Sequence, residues 1–164
     1  MKIAKVAIGQ DSHKFDLDGG SKPLILGGVV FPEETPLLAN SDGDVILHAV
    51  TRAITGITTV DILGPKTKAY LKQGITDSRV YLQDGLKDLK AMGATVIHLS
   101  LSIECQKPRI TPKIPDMRRS LAEMLETAPE NIGITATSGE EMTEAGRGLG
   151  INVFAVLTAA VDTL

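Results

Sequence analysis

The spacing of apolar residues switches between the period of a strand and that of a helix along the chain, and each switch marks an element. Residues 2–10, with Ile3, Val6 and Ile8 among their apolar positions and Gly9 near the end, read as a first strand. The polar stretch from Lys14 to Lys22 suits a loop. Residues 23–31, centred on Leu-Ile-Leu-Gly-Gly-Val-Val, predict a second strand in which Gly27 and Gly28 allow a bulge or a close backbone approach. Beyond Asn40 the period becomes helical: Val45, Ile46, Ala49, Val50, Ala53, Ile54 and Ile57 recur at three and four residues and define one buried face. Ser41 is placed to cap this helix, with Asp44 completing the acidic form of a capping box. Residues 56–74 lose clear periodicity and are expected to form a mobile loop.

A second helix starts at Thr76 or Asp77, presents Val80, Leu82, Leu86 and Leu89 on one side and ends near Gly93. In 95–105, Ile97, Leu99, Leu101 and Ile103 alternate with His98, Ser100, Ser102 and Glu104, which predicts a strand with one buried and one polar face. His98, apart from other ligand-type residues, reads as structural or interfacial. Pro108 and Pro112 stiffen a loop that carries Lys107 and Arg109. A third helix follows from about Pro115, with Met117, Leu121 and Leu125 inward, then an alternating strand at 131–137 and a final apolar strand from Ile151 to about Val161. Strands and helices alternate with no internal repeat and no second composition zone. The expectation is an α/β (α+β sandwich) fold: a single domain over 1–164, one mixed sheet, helices packed on one face.

Composition narrows the function. The net charge of -3, the lack of a basic run and an aromatic content of 3% argue against a nucleic-acid groove, which needs cations and stacking rings. No apolar run approaches the length of a membrane span and no signal-peptide pattern opens the chain, so a cytoplasmic protein without membrane contact is expected. Cys105 is the single cysteine, which rules out an intrachain disulfide and leaves nitrogen and oxygen as ligands for any metal.

The chemistry concentrates at two places. In Asp11-Ser12-His13, residues two apart point the same way in an extended segment, so Asp11 and His13 can converge on one point. His48 lies one turn inside the central helix, four residues after Asp44, so those two side chains share a side. Asp42 and Asp44 read either as outer groups that hold a histidine tautomer or simply as helix-capping acids.

Asp11-x-His13, Leu26-Gly27-Gly28-Val29 and Ser41-Asp42-Gly43-Asp44-Val45-x-x-His48 together resemble the 2-C-methyl-D-erythritol 2,4-cyclodiphosphate synthase family. Asp77-Ser78-Arg79, Pro108-Arg109-x-x-Pro112-x-Ile114-Pro115-x-Met117-Arg118, Ala136-Thr137 with Glu140, and Gly146-Arg147-Gly148-x-Gly150-Ile151 continue the likeness in order over nearly the whole chain. The resemblance implies cyclisation of 4-diphosphocytidyl-2-C-methyl-D-erythritol 2-phosphate to the 2,4-cyclodiphosphate with release of CMP, a lyase step of the non-mevalonate isoprenoid pathway. It implies a homotrimer whose active sites are shared between neighbouring subunits. Zinc would sit on Asp11, His13 and His48, and a second divalent cation, magnesium or manganese, near Glu140. Lys107, Arg109, Ile110 and Thr111 with Ala136, Thr137 and Ser138 would cradle the cytidine diphosphate end. Asp61 would meet the sugar-like part of the substrate, Ser41 and Arg147 would join the binding residues, and Asn40 and Ser138 would act on the transferring phosphates.

Three N/O ligands leave the fourth tetrahedral position of zinc open, as a catalytic site requires, and a phosphate nucleophile needs alignment and charge neutralisation rather than a strong base. The chain also departs from the family pattern. Asn40 stands where histidine is usual, Ser138 replaces a threonine, and Arg52 replaces an aspartate one turn beyond His48. Arg52 is placed to supply the charge that Asn40 lacks by binding a substrate phosphate. The 57–74 region lacks the family's Phe-Pro-Asp-Thr-like run, and Glu144 and Leu149 stand for a usual aromatic and a usual glutamate, so an isoprenoid-diphosphate regulatory pocket is not implied. Two other readings use the same residues: a degenerate trimeric homologue that binds metal and cytidine nucleotide without cyclising, and a phosphohydrolase using zinc-activated water.

Overall fold

A computed structural model describes residues 1–162. Strand β1 (Lys2–Lys14) leads into a short hairpin, β2 (Leu24–Leu26) and β3 (Val29–Phe31), followed by helices α1 (Val45–Thr58), α2 (Pro65–Lys72) and α3 (Ser78–Ala91). Strand β4 (Ala94–Glu104), helix α4 (Ile114–Leu125), strand β5 (Ile132–Thr137) and strand β6 (Gly150–Asp162) complete the order. The four long strands form one mixed sheet in the order β1-β6-β4-β5, with β6 antiparallel to both neighbours and β4 parallel to β5.

Helices cover one face of the sheet. Val45, Ile46, Ala49, Val50, Ala53, Ile54 and Ile57 of α1 are all buried there, as their period requires, where α1 packs on β1 and β6, in one core with Val153, Ala155, Leu157 and Ala159 of β6 and Leu99, Leu101 and Ile103 of β4. The opposite face exposes Val6, Ile8, Phe154 and Val156. No described helix is long and apolar enough to cross a membrane.

Several boundaries differ from the sequence reading, each for a physical reason. β1 runs on through Asp11 and His13 to Lys14 because β6 offers a partner for every residue, pairing Asp11 with Val153 and His13 with Ile151. The expected single strand at 23–31 is a hairpin. Gly27 and Gly28, at φ 62 and 76, supply the two positive dihedrals of a tight two-residue turn. Ile97 is exposed because a bulge between Val96 and His98 shifts the alternation by one, so that Val96 turns inward.

The region expected to be a mobile loop is ordered. Ile62 is fully buried, Thr67 donates its hydroxyl to the Ile62 carbonyl at 2.8 Å, and Tyr70 stacks on Tyr81 of α3 at 5.7 Å while donating to Asp84. These contacts fasten α2 to α3. A short polar helix lying on another helix carries little apolar period of its own, which is why the sequence pattern did not show it.

Candidate metal centre and substrate cleft

Two glycines let α1 approach β1 closely. A Cβ at Gly9 would lie 2.0 Å from the Ala49 carbonyl oxygen and 2.4 Å from the Ala53 nitrogen, and one at Gly56 would lie 2.8 Å from the Ala7 Cβ. Asp11 and His13 lie on the same side of β1 as Gly9, so the close contact brings His48 of α1 over them.

The three heads converge. The Asp11 Oδ2 lies 3.1 Å from His48 Nδ1 and 3.3 Å from His13 Nε2, and the two imidazole nitrogens are 3.1 Å apart. Zinc–ligand bonds of about 2.0–2.1 Å in a tetrahedron space the ligand atoms about 3.3 Å apart, so these atoms form one face of such a site with the fourth corner free. Burial works against the charged form of Asp11, but the hydrogen bonds and charges of His13 and His48 outweigh it and hold the carboxyl well below the usual carboxylate range. An ionised carboxylate is what a metal ligand must be.

A second layer orients His48. Its Nε2 lies 2.8 Å from the hydroxyl of Ser78, a residue fully buried at the start of α3. That hydroxyl in turn donates to Asp42 Oδ1, while the Ser78 backbone N–H donates to Asp42 Oδ2 at 3.0 Å. With its proton committed to Asp42, the Ser78 oxygen accepts from Nε2–H, so once His48 gives up the Nδ1 proton it shares with Asp11, the neutral ring keeps its proton on Nε2 and its lone pair on Nδ1. Of the two acids that the sequence offered for this role, Asp42 fills it through Ser78.

Asp44 does something else. It is the N-cap of α1, accepting from the Leu47 N–H at 3.1 Å, and it also accepts from Gly27 at 2.9 Å and Gly28 at 2.7 Å. The carboxylate therefore points away from His48 and ties the hairpin turn to the helix. Burial, opposed by the three N–H donors and reinforced by the charge of Asp42, pushes its carboxyl up to about 6. Ser41, expected as the cap, instead accepts from the Gly43 N–H and lies 3.4 Å from His48 Nε2. Lys22 holds this entry segment by donating to the Ala39 and Ser41 carbonyls at 2.7 and 3.0 Å.

Beside the triad opens a cleft of about 480 Å³ whose lining includes Asn40, Ser41, Arg52, Gly64, Thr67, Lys68 and Leu71. Arg52 Nε approaches Asp11 Oδ1 at 3.8 Å. Asp61 is exposed and packs on Gly64 at the cleft's margin.

The remaining expected site residues gather elsewhere. Ser12, Asn152, Glu104 and Thr137 form one row across β1, β6, β4 and β5. The row runs edge to edge, a span of about 14 Å at ordinary strand spacing. Asp11 and His13 thus lie at one edge, while Ala136, Thr137, Ser138 and Glu140 lie at the other, at the same end of the sheet. Among the described residues Asp11, His13 and His48 are the group placed to hold a metal, and Glu140 of the same chain is outside it. Ser138 and Glu140 are exposed, and the Ser138 hydroxyl accepts from the Glu140 N–H at 3.4 Å. Lys107, Arg109 and Thr111 are exposed after β4, whereas Ile110 is buried at 3%. Arg147 donates to Glu144 at 2.8 Å and to the Glu141 carbonyl. Ser78 and Gly9 escaped the sequence reading as contributors to the site. The Asp77-Ser78-Arg79 run was the one signal for Ser78, and the position of Gly9 two residues before Asp11 the one for Gly9.

A family model described as the YgbB family matches residues 4–160. The 2-C-methyl-D-erythritol 2,4-cyclodiphosphate synthase of Chlamydia trachomatis serovar L2b (strain UCH-1/proctitis) is 46% identical over 157 residues, covering 95% of this chain and 88% of the relative. Its namesake in Chlamydia caviae is 43% identical over 159 residues, covering 96% and 90%. Among solved structures, the bifunctional IspDF from Campylobacter jejuni superposes with a TM-score of 0.86 at 26% identity, covering 99% of this chain, which spans 43% of that protein's length. A 2C-methyl-D-erythritol-2,4-cyclodiphosphate synthase in a CDP-bound form superposes with a TM-score of 0.79 at 26% identity, covering 93% of this chain and 98% of that one.

Proposed function

This chain belongs to the YgbB family of 2-C-methyl-D-erythritol 2,4-cyclodiphosphate synthases, and from that premise we propose that it converts 4-diphosphocytidyl-2-C-methyl-D-erythritol 2-phosphate to the 2,4-cyclodiphosphate and CMP. The observation that carries this reading is the convergence of Asp11, His13 and His48 at tetrahedral spacing beside a cleft. In the reaction an oxygen of the 2-phosphate forms a bond to the β-phosphorus, the bond between that phosphorus and the bridging oxygen breaks, and CMP leaves with the electron pair.

Asp11, His13 and His48 hold the zinc, and Glu140 serves a second divalent cation, magnesium or manganese. Bound there, the cations supply Lewis-acid charge to the phosphoryl oxygens. The chain itself does the positioning. Asn40, exposed at the cleft, donates to the attacking phosphate, and the Ser138 hydroxyl donates to a transferring oxygen. Holding both ends of one substrate gives the effective-molarity gain of an intramolecular reaction. Lys107, Arg109, the backbone at Ile110, Thr111, Ala136 and Thr137 bind the cytidine diphosphate end, Ser41 and Asp61 the other, and Arg147 lies at the margin of the nucleotide side.

The nucleotide residues and the triad occupy opposite edges of one sheet, so a neighbouring copy brings the two half-sites together. The exposed apolar face bearing Val6, Ile8, Phe154 and Val156 supports assembly as a homotrimer around that face. Incubation of the metal-loaded protein with the linear substrate tests the function. Cyclic product with CMP is expected. Binding without turnover would make the chain a degenerate homologue, and ring-free products would make it a hydrolase.

A further inference from the structure

Helix α2, read from the sequence as part of a loop, forms one wall of the metal cleft. Gly64 at its N-terminus, then Thr67, Lys68 and Leu71, are spaced as one helical face, and all four line the cleft. The other side of α2 is spent on α3: Lys66 pairs with Asp88 at 3.3 Å and Tyr70 donates to Asp84. Lys68 is left facing the cleft, and among the described residues no carboxylate pairs with it.

Opposite stands Arg52 on α1. Its one ionic contact is the long 3.8 Å approach of Nε to Asp11, which leaves both terminal nitrogens of the guanidinium without a partner among the described residues. The single carboxylate among the residues lining this cleft is Asp11, already committed to the triad. A chain whose net charge is -3 therefore presents one unpaired cation, Lys68, and one only loosely paired, Arg52, beside the triad. Such a site favours an anion carrying more than one charge, and the planar fork of arginine with the point charge of lysine suits the oxygens of a phosphomonoester.

We propose that Arg52 and Lys68 form a clamp for the terminal phosphomonoester of the substrate, the group that attacks, and so take over charge neutralisation where Asn40 can offer only a neutral hydrogen bond. The clamp rests on the reading that this cleft takes a phosphorylated substrate. It gives α2 a task in binding that neither its short length nor its polar sequence announces.

Zinc-loaded wild type, Arg52→Gln and Lys68→Gln test it by three measurements: metal content, titration with inorganic phosphate, and titration with CMP. Steady-state kinetics with the linear substrate accompany them. Both side chains are on the surface, and a thermal melt reports whether each variant is folded. At unchanged metal content each variant is expected to bind inorganic phosphate about tenfold more weakly, the size of one charge-assisted contact, and to raise KM by a similar factor. CMP affinity stays at the wild-type value, because the nucleotide residues lie at the other edge of the sheet. Arg52→Lys recovers part of the loss.

Phosphate affinity and KM within twofold of wild type in both glutamine variants overturn the clamp, even if cyclic product forms. Loss of phosphate binding in the variants of a protein that makes no cyclic product leaves the clamp standing and removes the reaction assigned to it.

Discussion

Ser78→Ala removes one oxygen atom, and its effect on metal affinity follows from the geometry. The Ser78 hydroxyl is the acceptor for His48 Nε2–H at 2.8 Å and donates its own hydrogen bond to Asp42. Without it, His48 keeps only the Ser41 hydroxyl at 3.4 Å, and the ring is free to place its proton on Nδ1, the nitrogen turned toward Asp11 and His13 that would bind the metal of the proposed site. Asp42 loses one of its two Ser78 donors but retains the backbone N–H, so α3 stays anchored. Loss of such an outer hydrogen bond costs about 10–100-fold in metal affinity, about 1.4–2.7 kcal/mol. Zinc competition against a chromophoric chelator measures this directly, with circular dichroism as the check on folding. Asp42→Asn, which keeps the shape and weakens the acceptor, is expected to fall between the two. A Ser78→Ala protein that is folded and binds zinc within twofold of wild type refutes the relay.

Two further substitutions probe how the site is built. Gly9→Ala puts a methyl 2.0 Å from a backbone oxygen of α1, so the helix must move; a loss of about 1–3 kcal/mol is expected in urea unfolding, together with weaker zinc binding. Asp44 has a folded pKa raised above its unfolded value, from 3.8 to about 6, so its contribution to stability is fully present below 3.8 and is lost as pH rises through 6. Asp44→Asn cannot titrate and turns an amide N–H toward one of three backbone donors, a fixed penalty at every pH. Urea titrations at pH 4 and pH 7 should therefore show the wild-type advantage over Asp44→Asn shrinking by about 1–3 kcal/mol across that window; an advantage independent of pH counts against the assignment.

Much of the sheet and its packing face was legible in the sequence because period and burial are one phenomenon. The inner face of α1 and the alternation from Leu99 to Ile103 declare themselves by spacing, while Asp11-x-His13 and His48 stood out through the resemblance to the synthase family and are brought together in the structure. What stayed hidden depends on contacts distant in sequence. Ser78 supports a histidine thirty positions earlier, and no local pattern in a serine at a helix start distinguishes that task from capping. Asp44 looked like a partner for His48 on a helical wheel, but three backbone N–H groups from two segments claim its oxygens first. The Ile97 position failed because one bulge puts the residues before it out of phase with Leu99, Leu101 and Ile103. Helix α2 was hidden by its polarity: its order comes from Tyr70, Thr67 and the buried Ile62, each acting through a contact that the apolar period does not record.

In the proposed site one aspartate and two histidines grip a single dication. X-ray absorption at the zinc edge, on protein loaded with one equivalent, tests it most directly. A first shell of nitrogen and oxygen atoms at about 2.0–2.1 Å, with the outer-shell signature of two imidazoles and with one imidazole lost in His48→Ala, is the predicted result. A shell with sulfur, or one with the same imidazole count in wild type and His48→Ala, contradicts it.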